Sequence, residues 1–210
     1  MSILNEISEF IQKGRANEVE ALVTKAINDG IPAQEILEGG LLDGMSIIGE
    51  RFKNNEVFVP EVLIAARAMN KGVAVLKPRL VAAGVQEKGV AVIGTVKGDL
   101  HDIGKNLVKM MMEGRGIKVI DIGVDCPAQK YIDAATENNA DLICCSALLT
   151  TTMNEMKNVV DAVNASPLKG KVKVMVGGAP VSQSFADSIG ADCYTSDAAS
   201  AAEAAESFLA

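Results

Sequence analysis

From residue 90 onward, short apolar and β-branched runs alternate with stretches of helical periodicity, and this alternation narrows the available folds more than any other feature of the chain. The runs occupy 90–96, 117–122, 141–146 and 172–176, with a weaker one at 192–195. Helical stretches start near Ile103, Ala128, Thr151, Val181 and Asp197. Strands that are apolar almost throughout must be covered on both faces, which parallel strands joined by crossover helices achieve. Five such units predict a flavodoxin-like (Rossmann-like) α/β domain with a five-stranded parallel sheet in the order 2-1-3-4-5, its function at the carboxyl ends of the strands.

The preceding part of the chain follows a different pattern. Ile3, Ile7, Phe10 and Ile11, then Val19, Leu22, Val23, Ala26 and Ile27, fall at helical spacing. A third helix is expected after Pro32, carrying Ile36, Leu37, Leu41, Met45 and Ile48 toward Phe52. A fourth starts near Pro60 and runs through Val62, Ile64, Ala65, Met69 and Val73 to Leu76 or past Pro78. These four predict an N-terminal four-helix bundle. With the glycine-flanked stretch 84–89 as hinge, the expected domains are 1–86 and 87–210.

A hydrophobic fraction of 49% in 210 residues supplies ample core. A net charge of −7, 3% aromatics and no Trp argue against nucleic acid as a partner. The N-terminus shows no basic segment leading into an apolar one, and no apolar run is long enough to cross a membrane, so a cytoplasmic protein is expected. Cys126, Cys144, Cys145 and Cys193 lack Cys-x-x-Cys spacing, which speaks against a zinc ribbon or an iron–sulfur cluster. Cys144 and Cys145 read as small buried hydrophobes, and Met110, Met111 and Met112 as core packing.

The only histidine, His101, lies in Gly94-Thr95-Val96-Lys97-Gly98-Asp99-Leu100-His101-Asp102-Ile103-Gly104-Lys105-Asn106, where the first apolar run breaks into a loop that opens a helix. A single imidazole without clustered Cys or carboxylate partners can hold a metal only if a cofactor supplies the other ligands, as a haem or a corrin does. A lone His also reads as an ordinary surface or core residue, Asp99 as an Asx-turn, and Thr150, Thr151 and Thr152 as a helix start with one hydroxyl as N-cap.

The Asp-x-His-x-x-Gly pattern, flanked by Val96-Lys97-Gly98 and Lys105-Asn106, resembles the cobalamin-binding motif of the corrinoid methyltransferase proteins: the small methylamine- and methanol-type corrinoid proteins and the cobalamin module of methionine synthase. The resemblance extends to Ser146-Ala147-Leu148-Leu149-Thr150, to Gly177-Gly178-Ala179, and to the segment from Glu50 to Val62 in the helical half. It implies that His101 is the metal ligand, replacing the dimethylbenzimidazole beneath cobalt, and that Asp99 and Thr152 complete a relay behind it. The relay's third member is commonly serine in the family. Asp102, Gly104, Ser146, Leu148, Thr150, Gly177, Gly178 and Ala179 would line the slot for the displaced nucleotide tail. Phe52, Val59 and Val62 would cover the upper face of the corrin as a helical cap.

By the same resemblance the cofactor is cobalamin or a related corrinoid, carried base-off and His-on and cycling through methylcobalamin. The chain would shuttle a methyl group from a substrate-specific corrinoid methyltransferase, for a methylated amine, quaternary amine or methanol, to a second methyltransferase acting on tetrahydrofolate or a thiol. An ATP-dependent reductive activase would rescue oxidised cobalt. Such a chain is a non-autonomous component of a methyltransferase system. The alternative is a cobalamin-dependent sensor or regulatory domain, which usually carries a DNA-binding domain for which this chain has neither the residues nor the charge. A mutase subunit would need a substrate barrel, and a receiver domain would need acidic residues where Lys97-Gly98 stand.

Overall fold

The computed structural model describes residues 2–210. The chain divides into two compact units, Met1–Glu87 with Gly114–Gly116, and Lys88–Glu113 with Ile117–Ala210.

The first unit is helical. Helices α1 (Ile3–Gln12) and α2 (Ala16–Asn28) are followed by α3 (Ala33–Ile36), a π-helical segment (Leu37–Leu42) and α4 (Asp43–Lys53), which run on as one rod; α5 (Val59–Ala82) is the fourth. Ile7, Ile11, Val19, Val23, Leu41, Ile48, Val62 and Leu76 are fully buried, so the apolar stripe of each rod faces a common core. Glycine lets the rods approach closely: a Cβ on Gly44 would lie 2.8 Å from the Ser8 carbonyl oxygen, and one on Gly72 would lie 2.6 Å from Leu41. The third rod starts at Ala33 with Pro32 just outside it. Helix α5 continues past Pro78 to Ala82. Ile64, expected on the apolar stripe, is exposed.

The second unit holds a five-stranded parallel sheet in the order β2-β1-β3-β4-β5. Its strands are β1 (Val90–Thr95), β2 (Lys118–Asp121), β3 (Leu142–Ser146), β4 (Lys173–Gly177) and β5 (Cys193–Tyr194), with α6 (Ile103–Glu113), α7 (Ala128–Glu137), α8 (Asn154–Asn164), α9 (Gln183–Ile189) and α10 (Ala198–Leu209) between and after them. One sheet face, with Val92, Ile143, Val174 and Val176, packs with Tyr131 of α7 and Met156, Val159 and Val160 of α8. Ala91, Ile93, Leu142, Cys144 and Met175 alternate onto the other face and are also buried. Cys145 is buried too, as are Met111 and Met112 of α6, whereas Met110 is half-buried.

Two boundaries differ from the sequence expectation. The last strand shrinks to two residues at the sheet edge. Helix α8 begins at Asn154, not near Thr151, and has no side-chain N-cap, because Met153 stands at that position; the Thr152 hydroxyl bonds Asp99 instead.

Candidate functional site

The carboxyl ends of β1, β3 and β4 are in register, with Thr95 beside Ser146 and Ser146 beside Gly177. The loop after β1 leaves this edge through Gly98, whose φ of +79° favours glycine, and places Asp99 and His101 before α6. Thr95, fully buried, donates its hydroxyl to the His101 carbonyl at 2.7 Å and so anchors the far end of the loop to the strand that launched it.

Asp99 is 0% exposed. Its Oδ1 accepts from the His101 amide at 3.1 Å and lies 2.7 Å from His101 Nδ1. Its Oδ2 accepts from the amides of Leu148 at 2.8 Å and Leu149 at 3.2 Å and from Thr152 Oγ1 at 2.9 Å. Burial by itself would raise this carboxyl's pKa, but bonds from the Leu148 amide, the His101 ring and amide and the Thr152 hydroxyl outweigh it and hold the group well below the usual carboxylate range. Asp99 is therefore a fixed anion with both oxygens occupied. It forms the Asx-turn that its sequence position suggested, and the same oxygen also meets the ring.

An anionic carboxylate can only accept, so Nδ1 of His101 carries a proton and, in the neutral ring, Nε2 keeps its lone pair. The imidazole is 51% exposed. Exposed apolar residues stand on the same two loops: Leu100 and Ile103 flank His101 in sequence, and Leu148 and Leu149 follow β3, where their amides bond Asp99. Thr152 Oγ1 also lies 3.0 Å from the Leu149 carbonyl oxygen, so its one hydrogen is shared between two acceptors.

The remaining candidates fall into two groups. Ser146 and Gly177 are half-buried at the strand ends; Leu148, Thr150, Gly178 and Ala179 are exposed in the loops that follow. Gly178 has φ +134°, and a Cβ there would lie 1.9 Å from the Ala147 carbonyl oxygen, so these two loops touch backbone to backbone. Gly104, in the first turn of α6, faces open space. Asp102 precedes that helix, its carbonyl accepting the Asn106 amide and its side chain the Asn106 amide group. Phe52, Val59 and Val62 belong to the helical unit. Val62 is 0% exposed within that unit's core and Phe52 and Val59 are half-buried, whereas Phe58 beside them is 63% exposed.

Thr95 and the Leu148 and Leu149 amides are functional parts that sequence reasoning did not assign. Thr95 stands inside the motif and was legible as a buried hydroxyl next to a loop; backbone amides leave no trace in composition.

The donor set suits a metal whose other ligands come with a non-protein group. It offers one outward imidazole nitrogen, oriented through its partner nitrogen by a buried anion, and among the described residues no group of three or more His, Cys, Asp or Glu side chains is gathered for an ion. The apolar rim and the vacant space at Gly104 are compatible with a large, largely apolar macrocycle and its tail.

Comparison with known proteins agrees with this chemistry. Profiles described as B12 binding domains match residues 89–206 and residues 3–77. A dimethylamine corrinoid protein of Methanosarcina barkeri is 45% identical over 209 residues, covering 99% of this chain and 98% of that protein. A corrinoid protein of Desulfitobacterium hafniense is 40% identical over 212 residues, covering 100% of this chain and 98% of that protein. Among solved structures, a chain of the methanol:cobalamin methyltransferase complex MtaBC from Methanosarcina barkeri superposes with a TM-score of 0.88 at 28% identity, covering 99% of this chain and 79% of that one.

Proposed function

The chain belongs to the B12-binding corrinoid protein family, and on that premise we propose that it carries a methyl group on a corrinoid bound base-off with His101 as the lower ligand to cobalt. The observation that carries this reading is the 2.7 Å contact between Asp99 and His101 Nδ1, which in the neutral ring leaves the lone pair on Nε2 of a half-exposed imidazole. When bound, the corrinoid supplies cobalt chemistry that accepts and releases a methyl group.

The chain's own residues hold and orient. Asp99 fixes the imidazole tautomer and orientation through Nδ1, so that Nε2 would be the nitrogen offered to the metal. Thr152 and the Leu148 and Leu149 amides keep the carboxylate charged and stationary. Gly104, Ser146 and the Gly177-Gly178-Ala179 turn, with Asp102, Leu148 and Thr150, would receive the nucleotide tail. Within the helical unit Phe52 and Val59 are half-buried, Val62 is buried and Phe58 is exposed; Phe52, Val59 and Val62 are the residues that would cover the corrin's upper face.

A methylated amine is the donor that the relative named for dimethylamine supports, with a quaternary amine or methanol as the other donors of this type, and the first partner is a substrate-specific corrinoid methyltransferase. A second methyltransferase acting on tetrahydrofolate or a thiol, and an ATP-dependent reductive activase, complete the proposed cycle in the cytoplasm.

The test is reconstitution of the purified apoprotein with hydroxocobalamin. Uptake of one corrinoid per chain, with loss of benzimidazole coordination and appearance of histidine nitrogen splitting in the cob(II)alamin electron paramagnetic resonance spectrum, is expected. His101→Gly showing the wild-type spectrum would overturn the reading.

A further inference from the structure

The loop after β2 contains a non-glycine residue in the left-handed region, Asp125, at φ +51°. Its amide donates to the Asp99 carbonyl at 3.0 Å, and its Oδ1 accepts from the Gly98 amide at 2.7 Å. The neighbouring residues continue the same seam. The Cys126 amide donates to the Thr95 carbonyl at 2.9 Å, the Thr95 amide donates to the Gly123 carbonyl at 3.0 Å, and Val96 and Cys126 form an isolated parallel bridge. The loop after β2 is thus a splint laid along the loop that holds Asp99.

Glycine, asparagine and aspartate are the residue types that fit a left-handed position most readily. Glycine would take the φ with the least strain and keep the amide bond to Asp99. What it lacks is the oxygen that reaches Gly98. That bond matters because it holds the Lys97–Gly98 peptide, one residue ahead of Asp99, and Gly98 at φ +79° has no side chain to resist rotation there. A turn at Gly98 would swing the Asp99 carboxylate off its donors and release the imidazole. Asp125 is exposed, and its bonds run to the Gly98 and Asp99 backbone, so it acts on the ligand through them.

We infer that Asp125 is a positioning residue that clamps the two peptides flanking the Gly98–Asp99 link, through the Gly98 N–H and the Asp99 carbonyl, and thereby holds His101 in its metal-ligating tautomer and orientation. The inference rests on the proposed role of His101.

The single histidine makes the apoprotein its own reporter. In nitrogen-15 spectra of wild-type apoprotein, above the pH at which the imidazole is charged, the Nδ1–H tautomer is expected to dominate. Asp125→Gly should lower its share at least three-fold, toward the Nε2–H form that an unrestrained histidine side chain favours, and Asp125→Asn, which keeps an acceptor oxygen and the backbone conformation, should restore it. Loaded with cob(II)alamin, Asp125→Gly should lose at least three-fold in the amplitude of histidine nitrogen splitting, and Asp125→Asn should match wild type. Wild-type tautomer share and splitting in Asp125→Gly would overturn the inference, as would an Asp125→Asn variant behaving like Asp125→Gly. Should Asp125→Gly not fold, hydrogen exchange at Gly98 in the wild-type apoprotein decides: at least ten-fold protection over an unstructured chain is expected, and an unprotected amide overturns the inference. A tautomer that responds to Asp125 in a wild-type protein showing no histidine nitrogen splitting would sustain the positioning role and refute the ligand role of His101.

Discussion

Asp99 Oδ1 lies 2.7 Å from His101 Nδ1, yet the carboxylate is sealed from solvent while the imidazole is half exposed. One partner is fixed by the fold and the other is free to respond to what arrives from solution. This asymmetry determines what each substitution should do.

Asp99→Asn has a preferred orientation. Three donors converge on Oδ2 and two on Oδ1, so the single amide oxygen of Asn should take the Oδ2 side and turn its NH2 toward His101. That forces Nδ1 to accept and Nε2 to carry the proton, which blocks ligation. We expect a folded variant destabilised by about 1–3 kcal/mol through the unmet His101 amide, with histidine nitrogen splitting abolished. Chemical denaturation and electron paramagnetic resonance measure the two effects separately.

Gly104 and Gly178 should part company on alanine substitution. Nothing meets a Cβ at Gly104, and replacing a first-turn helical glycine gains up to about 1 kcal/mol. The Gly104→Ala apoprotein should therefore melt at or above the wild-type temperature while its corrinoid affinity falls, because the methyl group occupies space the cofactor tail needs. Gly178→Ala drives a Cβ into the Ala147 carbonyl oxygen at a φ that alanine resists, so it should lose stability in the absence of any cofactor. Thermal melts with and without hydroxocobalamin distinguish the two outcomes.

Lys105, 3% exposed, bonds both Asp121 oxygens at 2.7 Å and Asn106 Oδ1 at 2.7 Å, pinning the first turn of α6 to the end of β2. Although burial opposes it, the bond from Lys105 and that from the Gly123 amide lower the Asp121 pKa. Asp121→Asn leaves a buried ammonium without its counter-charge and should cost about 3 kcal/mol at neutral pH. A depressed carboxyl stabilises the fold above its unfolded value of about 3.9 and loses that contribution as pH falls through its lower folded value. The gap between wild type and Asp121→Asn in urea midpoints should therefore narrow from pH 7 toward pH 2.

The cysteines should be chemically quiet. Burial pushes the Cys144 thiol up to about 12 and raises those of Cys145 and Cys126 as well; Cys193 is raised by burial and by Asp192 but is half-buried. A disulfide thiol reagent at pH 8 should modify at most Cys193 in the native protein within minutes and all four thiols in denaturant. Loss of the rapid phase in Cys193→Ser checks the assignment.

The sequence by itself determined the helical half, the parallel sheet and its order, because apolar periodicity is a local property and continuous apolar runs have few ways to be covered. It also singled out His101 and Asp99, which stand two residues apart on one loop. Tertiary structure decided the rest. Thr152 reaches Asp99 across more than fifty residues, and only the parallel pairing of β1 with β3 makes them neighbours. Helix α8 starts only at Asn154, after the turn that carries Thr152 to Asp99. The assignment of Val59 and Val62 to core or surface depends on which side of α5 the other rods cover, and helical spacing cannot distinguish an apolar residue that is packed from one kept open. Asp125 was invisible for the same reason: its strain and its two bonds exist only where two loops lie side by side.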